Sequence, residues 1–115
     1  MQTELLTIQT LDTPRYTRLV LEGEIDAGTS RPLDATLSGL FSAAPKSVVI
    51  DIREVSYVSS AGIGIFIYFF GELQKVGHKL ILLQPTPVVH EILTLLRLEE
   101  HIPILMSEDE IEAAL

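Results

Sequence analysis

Two adjacent hydroxyls, Ser59 and Ser60, stand where a strand-like run gives way to a helix-like one, in Tyr57-Val58-Ser59-Ser60-Ala61-Gly62-Ile63-Gly64. The first turn of a helix leaves N–H groups unpaired and carries partial positive charge. A serine there can accept one of those N–H groups, and a phosphate added to it is electrostatically tolerated. Ser60 therefore has two readings, a helix N-cap or a phosphoryl acceptor. Gly62-x-Gly64 lacks both the Gly-Lys-Ser/Thr ending of a phosphate-binding loop and the third glycine of a dinucleotide fingerprint. His78, His90 and His101 are spread over a turn, a helix and a loop, with no pair at i, i+4, and read as surface histidines rather than metal ligands. Asp26 and Asp51 are the candidates for paired carboxylates, but no base or pocket accompanies them, and Asp51, at a strand end, reads as structural. No nucleophile–base–orienter set can be assembled, so the residues offer neither an enzyme nor a cofactor or metal site.

The composition narrows the setting. The chain has 115 residues, 47% of them hydrophobic, with 16 acids against 8 bases, a net charge of −8 and no cysteine. That length fits one domain with a core of its own. Absence of cysteine excludes a disulfide scaffold, thiolate metal sites and a cysteine nucleophile. The acidic balance argues against a nucleic-acid surface, which needs clustered Lys and Arg. The longest apolar run, 65–70, is far short of the ~20 residues that span a bilayer. Residues 1–10 show no basic region followed by a long apolar stretch, so no signal peptide is read there. A soluble, cytoplasmic single domain is the expectation.

The elements that must hold the junction follow from periodicity. Glu4–Leu11 and Tyr16–Glu24 alternate around Thr13-Pro14-Arg15 and predict a hairpin. Thr29 or Ser30 can cap a helix carrying Pro32 in its first turn, with Leu33, Leu37, Leu40 and Phe41 as its stripe and Pro45 as its stop. Ser47–Ile52 predicts a buried strand, and 56–61 a polar junction. Gly62–Val76 predicts a helix whose core face is Ile63, Phe66, Ile67, Phe70 and Leu73, closed by Gly77. Lys79–Gln84 is a further buried strand, and Thr86-Pro87 opens a helix with Val89, Ile92, Leu93 and Leu96 inward. Ile102–Leu105 predicts an edge strand, because Pro103 cannot serve a central ladder. Ser107 and Glu110 form a capping box before a short last helix carrying Ile111, Ala114 and Leu115. The order β-β-α-β-α-β-α-β-α predicts an α/β fold, a mixed and mostly parallel sheet of four to five strands flanked by about four helices.

The helix after the serines is apolar on more than one side. Ile65, Tyr68 and Phe69 lie off the predicted core stripe, which implies burial on a second face or a partner. Gly62 and Gly64 each weaken the helix start by ~1 kcal/mol relative to alanine, a cost that suits close approach of another surface.

These stretches together carry a resemblance. Gly23-Glu24-Ile25-Asp26 before a helix, Val48-Val49-Ile50-Asp51, and Val55 to Gly64 resemble the STAS domain of anti-sigma factor antagonists, over nearly the whole chain. The resemblance implies one STAS domain over residues 1–115 and a non-enzymatic switch. Ser60 matches that family's phosphorylated serine, and Asp26 its acidic neighbour. The implied partners are an anti-sigma factor that is itself a serine kinase, and a serine phosphatase, with homodimerisation left open. The implied partner surface comprises Asp26, Ser59, Ser60, Gly62, Gly64, Ile65, Tyr68 and Phe69. Two positions depart from the pattern: Ser59 stands where aspartate is usual, and Ala61 where Ser or Thr is usual. Loss of the carboxylate at 59 removes a group that could orient the acceptor or guide a kinase. The alternatives are a non-phosphorylated scaffold subunit of a transporter or signalling assembly, with Ser60 only a cap, and a module binding a nucleotide or other small ligand.

Overall fold

The strand runs and helical stripes assemble into one five-stranded sheet. The structure, a computed structural model, describes residues 6–115. Its elements are β1 (Leu6–Asp12), β2 (Tyr16–Ile25), α1 (Ser30–Ala43), β3 (Ser47–Val58), α2 (Ser60–Lys75), β4 (Leu80–Leu83), α3 (Pro87–Leu95), β5 (Ile104–Leu105) and α4 (Ile111–Ala114). Short helical turns at Leu98–Glu100 and Glu108–Glu110 precede β5 and α4. The sheet order is β1-β2-β3-β4-β5, with β1 antiparallel to β2 and all other pairs parallel. The expected α/β architecture and element order are those observed. Glu4 and Leu5, the predicted start of the first strand, lie outside the described residues, as does half of the stretch read for a signal peptide.

Alternation along the strands separates two apolar layers. Leu19, Leu21, Ile50, Ile52, Leu80 and Leu82 face the main core, which α1, α2 and α3 cover with Leu33, Leu37, Phe66, Leu73, Val89 and Leu93. On the other sheet face, Val49, Ile81 and Leu83 meet Ile111 of α4. Thr13 shapes the hairpin: its N–H and hydroxyl both donate to the Tyr16 carbonyl, at 2.9 and 2.7 Å. Gly77 ends α2 at φ +85°, and its N–H and that of His78 close the last turn onto Gln74 and Leu73.

The main departure lies in β3, which runs six residues beyond the predicted Ser47–Ile52. Residues read as a polar junction, through Val58, stay in the ladder because the long β2 pairs with them: Glu24 opposes Tyr57 and Ile25 opposes Val58. Register shifts between Val20 and Glu22, and between Gly23 and Glu24, break the alternation that the sequence reading relies on. The capping box is also displaced. Ser107 Oγ accepts from Asp109 N at 3.2 Å, while Glu110 Oε1 reaches Met106 N at 3.3 Å, so a short helical turn intervenes before α4. Leu96, predicted inward, is half exposed just past the end of α3.

Candidate functional site

β2 and β3 are parallel and end side by side, so α1 and α2 both start from one sheet edge, at the carboxyl ends of the strands. Parallel sheets commonly place ligand and partner chemistry there. Ser59 N donates to the Ile25 carbonyl at 2.7 Å and ties the two exits together. Just beyond Ile25, Asp26 organises its own loop: Oδ1 accepts from Gly28 N at 2.8 Å and Thr29 N at 3.0 Å. Thr29 stands at the N-cap position of α1, as expected, but its buried hydroxyl caps no helix N–H; it accepts from Asp26 N and donates to the Glu24 carbonyl beneath this loop.

The two serines divide the two readings offered by the sequence. Ser59, not Ser60, is the N-cap of α2: its backbone is extended (φ −87°, ψ 174°) and its hydroxyl accepts from Gly62 N at 3.4 Å. Ser60 is the first helical residue, is exposed, and its hydroxyl has no hydrogen-bond partner among the described residues. The helix consequently begins two residues before the predicted Gly62. Capping consumes one hydroxyl and leaves the other free at the positive end of a 16-residue helix.

The inward face of α2 is Gly62, Ile63, Phe66, Phe69 and Leu73, which corrects three expectations. Phe69, assigned to the partner surface, is 4% exposed and belongs to the main core, where its ring meets Tyr68 edge-on at 4.9 Å. Ile67, assigned to the core, is 52% exposed. Gly62 sets this rotation. A Cβ there would come within 2.5 Å of Ile25 Cγ2 and 3.1 Å of Val58 Cγ1, so only glycine lets α2 settle against the ends of β2 and β3. Residues 66, 69 and 73 then follow at helical spacing onto the sheet. Gly62 is thus buried packing, not partner surface, whereas Gly64 is exposed with nothing within 4 Å of a Cβ.

What remains outward forms a shallow groove between the first turns of α1 and α2, lined by Ser30, Arg31, Asp34, Ala61, Gly64, Ile65 and Tyr68. Tyr68 is 59% exposed, and Ile65 is half-buried against the core. Arg31 has no ion pair among the described residues. The groove adds Ser30, Arg31, Asp34 and Ala61 to the residues that the sequence reading named. Their signal was available: two helices that start after neighbouring parallel strands must present their first turns side by side.

Asp51 plays no part there. Its side chain is 1% exposed within β3, where Arg18 reaches it at 2.8 Å and Arg53 at 3.0 and 3.1 Å. Burial pushes its carboxyl up, but the hydrogen bonds from Arg53 and Arg18 outweigh burial and hold it below the usual carboxylate range. Arg18 also binds Glu108 at 2.8 Å, and Arg15 binds Glu112, so the same network fastens the α4 segment to the sheet. Asp26 and Asp51 therefore do not form a catalytic pair. Among the described residues no cluster of His, Cys, Asp or Glu could hold a metal ion, and no helix is long and apolar enough to cross a membrane.

The family model for the STAS domain matches residues 7–111, nearly the whole described chain. The chain belongs to the STAS domain family. A protein of Bordetella bronchiseptica named as the anti-sigma factor antagonist BtrV is 26% identical over 94 residues, covering 82% of this chain and 81% of that protein. The crystal structure of an anti-sigma factor antagonist from Mycobacterium paratuberculosis superposes with a TM-score of 0.85 at 22% identity, over 95% of this chain and 92% of that one. The Bacillus cell fate determinant SpoIIAA in its phosphorylated form gives 0.71 at 22% identity, over 95% and 100%. In this STAS domain Ser59 serves the fold as well as the aspartate that the resemblance leads one to expect there, because Ser and Asp are about equally good N-caps.

Proposed function

We propose that this STAS domain is an anti-sigma factor antagonist that switches partners through phosphorylation of Ser60. The observation that carries the reading is the division of labour at the helix start: Ser59 caps, so the Ser60 hydroxyl is exposed and uncommitted. The name of the Bordetella relative supports the antagonist role, and the phosphorylated state of SpoIIAA supports a phosphoprotein of this fold. Unphosphorylated, the Ser60 turn and the groove beside it, with Gly64, Ile65 and Tyr68, dock onto an anti-sigma factor that is also a serine kinase. Asp26 and Ser59 shape the rim of that surface from behind. Phosphorylation adds roughly −1.5 to −2 charges at neutral pH. The helix terminus accommodates that charge within the free protein. In the complex the charge sits close to Asp26 and against apolar surface, where desolvation and like-charge repulsion oppose docking. The partner is released, and a serine phosphatase resets the switch; the domain is a substrate and performs no catalysis itself.

The test is incubation with the cognate anti-sigma kinase and ATP, followed by tandem mass spectrometry. Phosphate is expected on Ser60. Phosphate confined to Ser59, or none with a kinase shown active on its own substrate, overturns the reading.

A further inference from the structure

α2 has a second open flank, opposite the groove at its start. Beside its carboxyl half, two adjoining hollows of about 330 and 410 Å3 share Phe70 and His101. Ile67, Phe70, Ile102 and Pro103 make them apolar, while Gln74, His78, Lys79 and His101 supply their polar groups. Their size falls within the ~300–1,000 Å3 of sites for small ligands.

Charge indicates what fits. The chain carries net charge −8, yet no Asp or Glu lines either hollow. Arg15, Arg18, Lys46, Arg53 and Lys75 are all committed to ion pairs. Lys79 has none among the described residues. Ile67, half exposed on this flank, is an apolar side chain that packing within the domain leaves in water. An apolar floor beside an uncommitted ammonium and two imidazoles is complementary to a short hydrocarbon body with one anionic head.

We propose that this groove is a binding site for a small amphiphilic carboxylate. The carboxylate accepts hydrogen bonds from Lys79 Nζ and an imidazole N–H, and the hydrocarbon covers Ile67 and Phe70. The site lies on the other flank of α2 and roughly 15 Å along it from Ser60, at 1.5 Å rise per residue. It stands independently of the phosphorylation reading.

The experiment is an amide chemical-shift titration of the full chain with octanoate, and with octylammonium as the cation of equal chain length. Octanoate is expected to give saturable shifts confined to residues 67–79 and 101–104. Lys79→Gln is expected to weaken octanoate binding about threefold, the scale of one exposed ion pair. Ile67→Asp, which places a like charge and a polar group on the floor, is expected to weaken it by more. Both positions are exposed, and an unchanged melting temperature verifies that each variant is folded. Octylammonium binding as tightly as octanoate, shifts centred on 60–68 instead, or no saturable shifts up to the solubility limit each overturn the proposal.

Discussion

Replacing Ser59 and Ser60 one at a time separates the cap from the acceptor. Ser59→Ala leaves Gly62 N without its side-chain acceptor at the start of α2. N-cap losses cost ~0.5–2 kcal/mol. The bond here is long, 3.4 Å against a usual N–H···O distance of about 2.9–3.0 Å, so the lower part of that range applies, about 0.5–1 kcal/mol. At ~2.1 cal/mol/K of unfolding entropy per residue, a chain this size has roughly 240 cal/mol/K, and the loss corresponds to about 2–4 °C in Tm. Ser60→Ala removes an exposed hydroxyl without a partner and introduces a better helix former, so Tm should hold or rise slightly. Ser59→Asp keeps a cap and adds a charge that the helix terminus favours, so its Tm should equal or exceed that of the wild type. Thermal melts are then paired with phosphorylation by the cognate kinase. Ser59→Ala should be less stable and still accept phosphate; Ser60→Ala should be fully stable and accept none. A Ser60→Ala variant destabilised as much as Ser59→Ala would refute the assignment of the cap, and with it the claim that the Ser60 hydroxyl is free.

Further outcomes follow from packing and charge. Gly62→Ala should lower stability by about 1–2 kcal/mol in urea titrations, because overpacking against Ile25 exceeds the ~1 kcal/mol gain in helix propensity; a stabilised variant would show that α2 can shift without cost. Phe69→Ala should cost ~3–5 kcal/mol as a buried aromatic, whereas Tyr68→Ala should leave the melting temperature nearly unchanged and weaken partner binding measured by calorimetry. Asp51→Asn should cost about 3 kcal/mol at neutral pH, the low end for breaking a buried pair, since Arg53 is half exposed and Arg18 keeps Glu108. Because the folded-state pKa of Asp51 is depressed, this contribution is fully present above the unfolded value of ~3.9 and is lost as pH falls through the lower folded value. Urea midpoints of wild type and variant should therefore converge in acid; a constant gap down to pH ~2 would contradict the assignment.

The sequence alone determined the order of elements, the mixed sheet and the position of the serine-bearing junction. Those features rest on local signals: alternation in Tyr16–Glu24, the uninterrupted apolar runs of β3 and β4, Thr86-Pro87 at the start of α3, and Gly77 at the end of α2. The tertiary structure decided which way α2 faces. Ile63, Ile65, Phe66, Ile67, Tyr68, Phe69 and Phe70 are apolar nearly all round, so periodicity permits more than one stripe, and only the contact of Gly62 with Ile25 and Val58 selects Phe69 as core and leaves Ile67 outside. Long-range pairing likewise kept the residues up to Val58 in the sheet, and so moved the helix start and gave the cap to Ser59 instead of Ser60. Arg18, Asp51 and Glu108 are far apart in the chain and carry no joint local pattern; the register of β2 beside β3 and the return of the α4 segment bring them together. Local chemistry names the residues of a site, whereas their facing and their partners depend on contacts between segments that no single stretch of sequence contains.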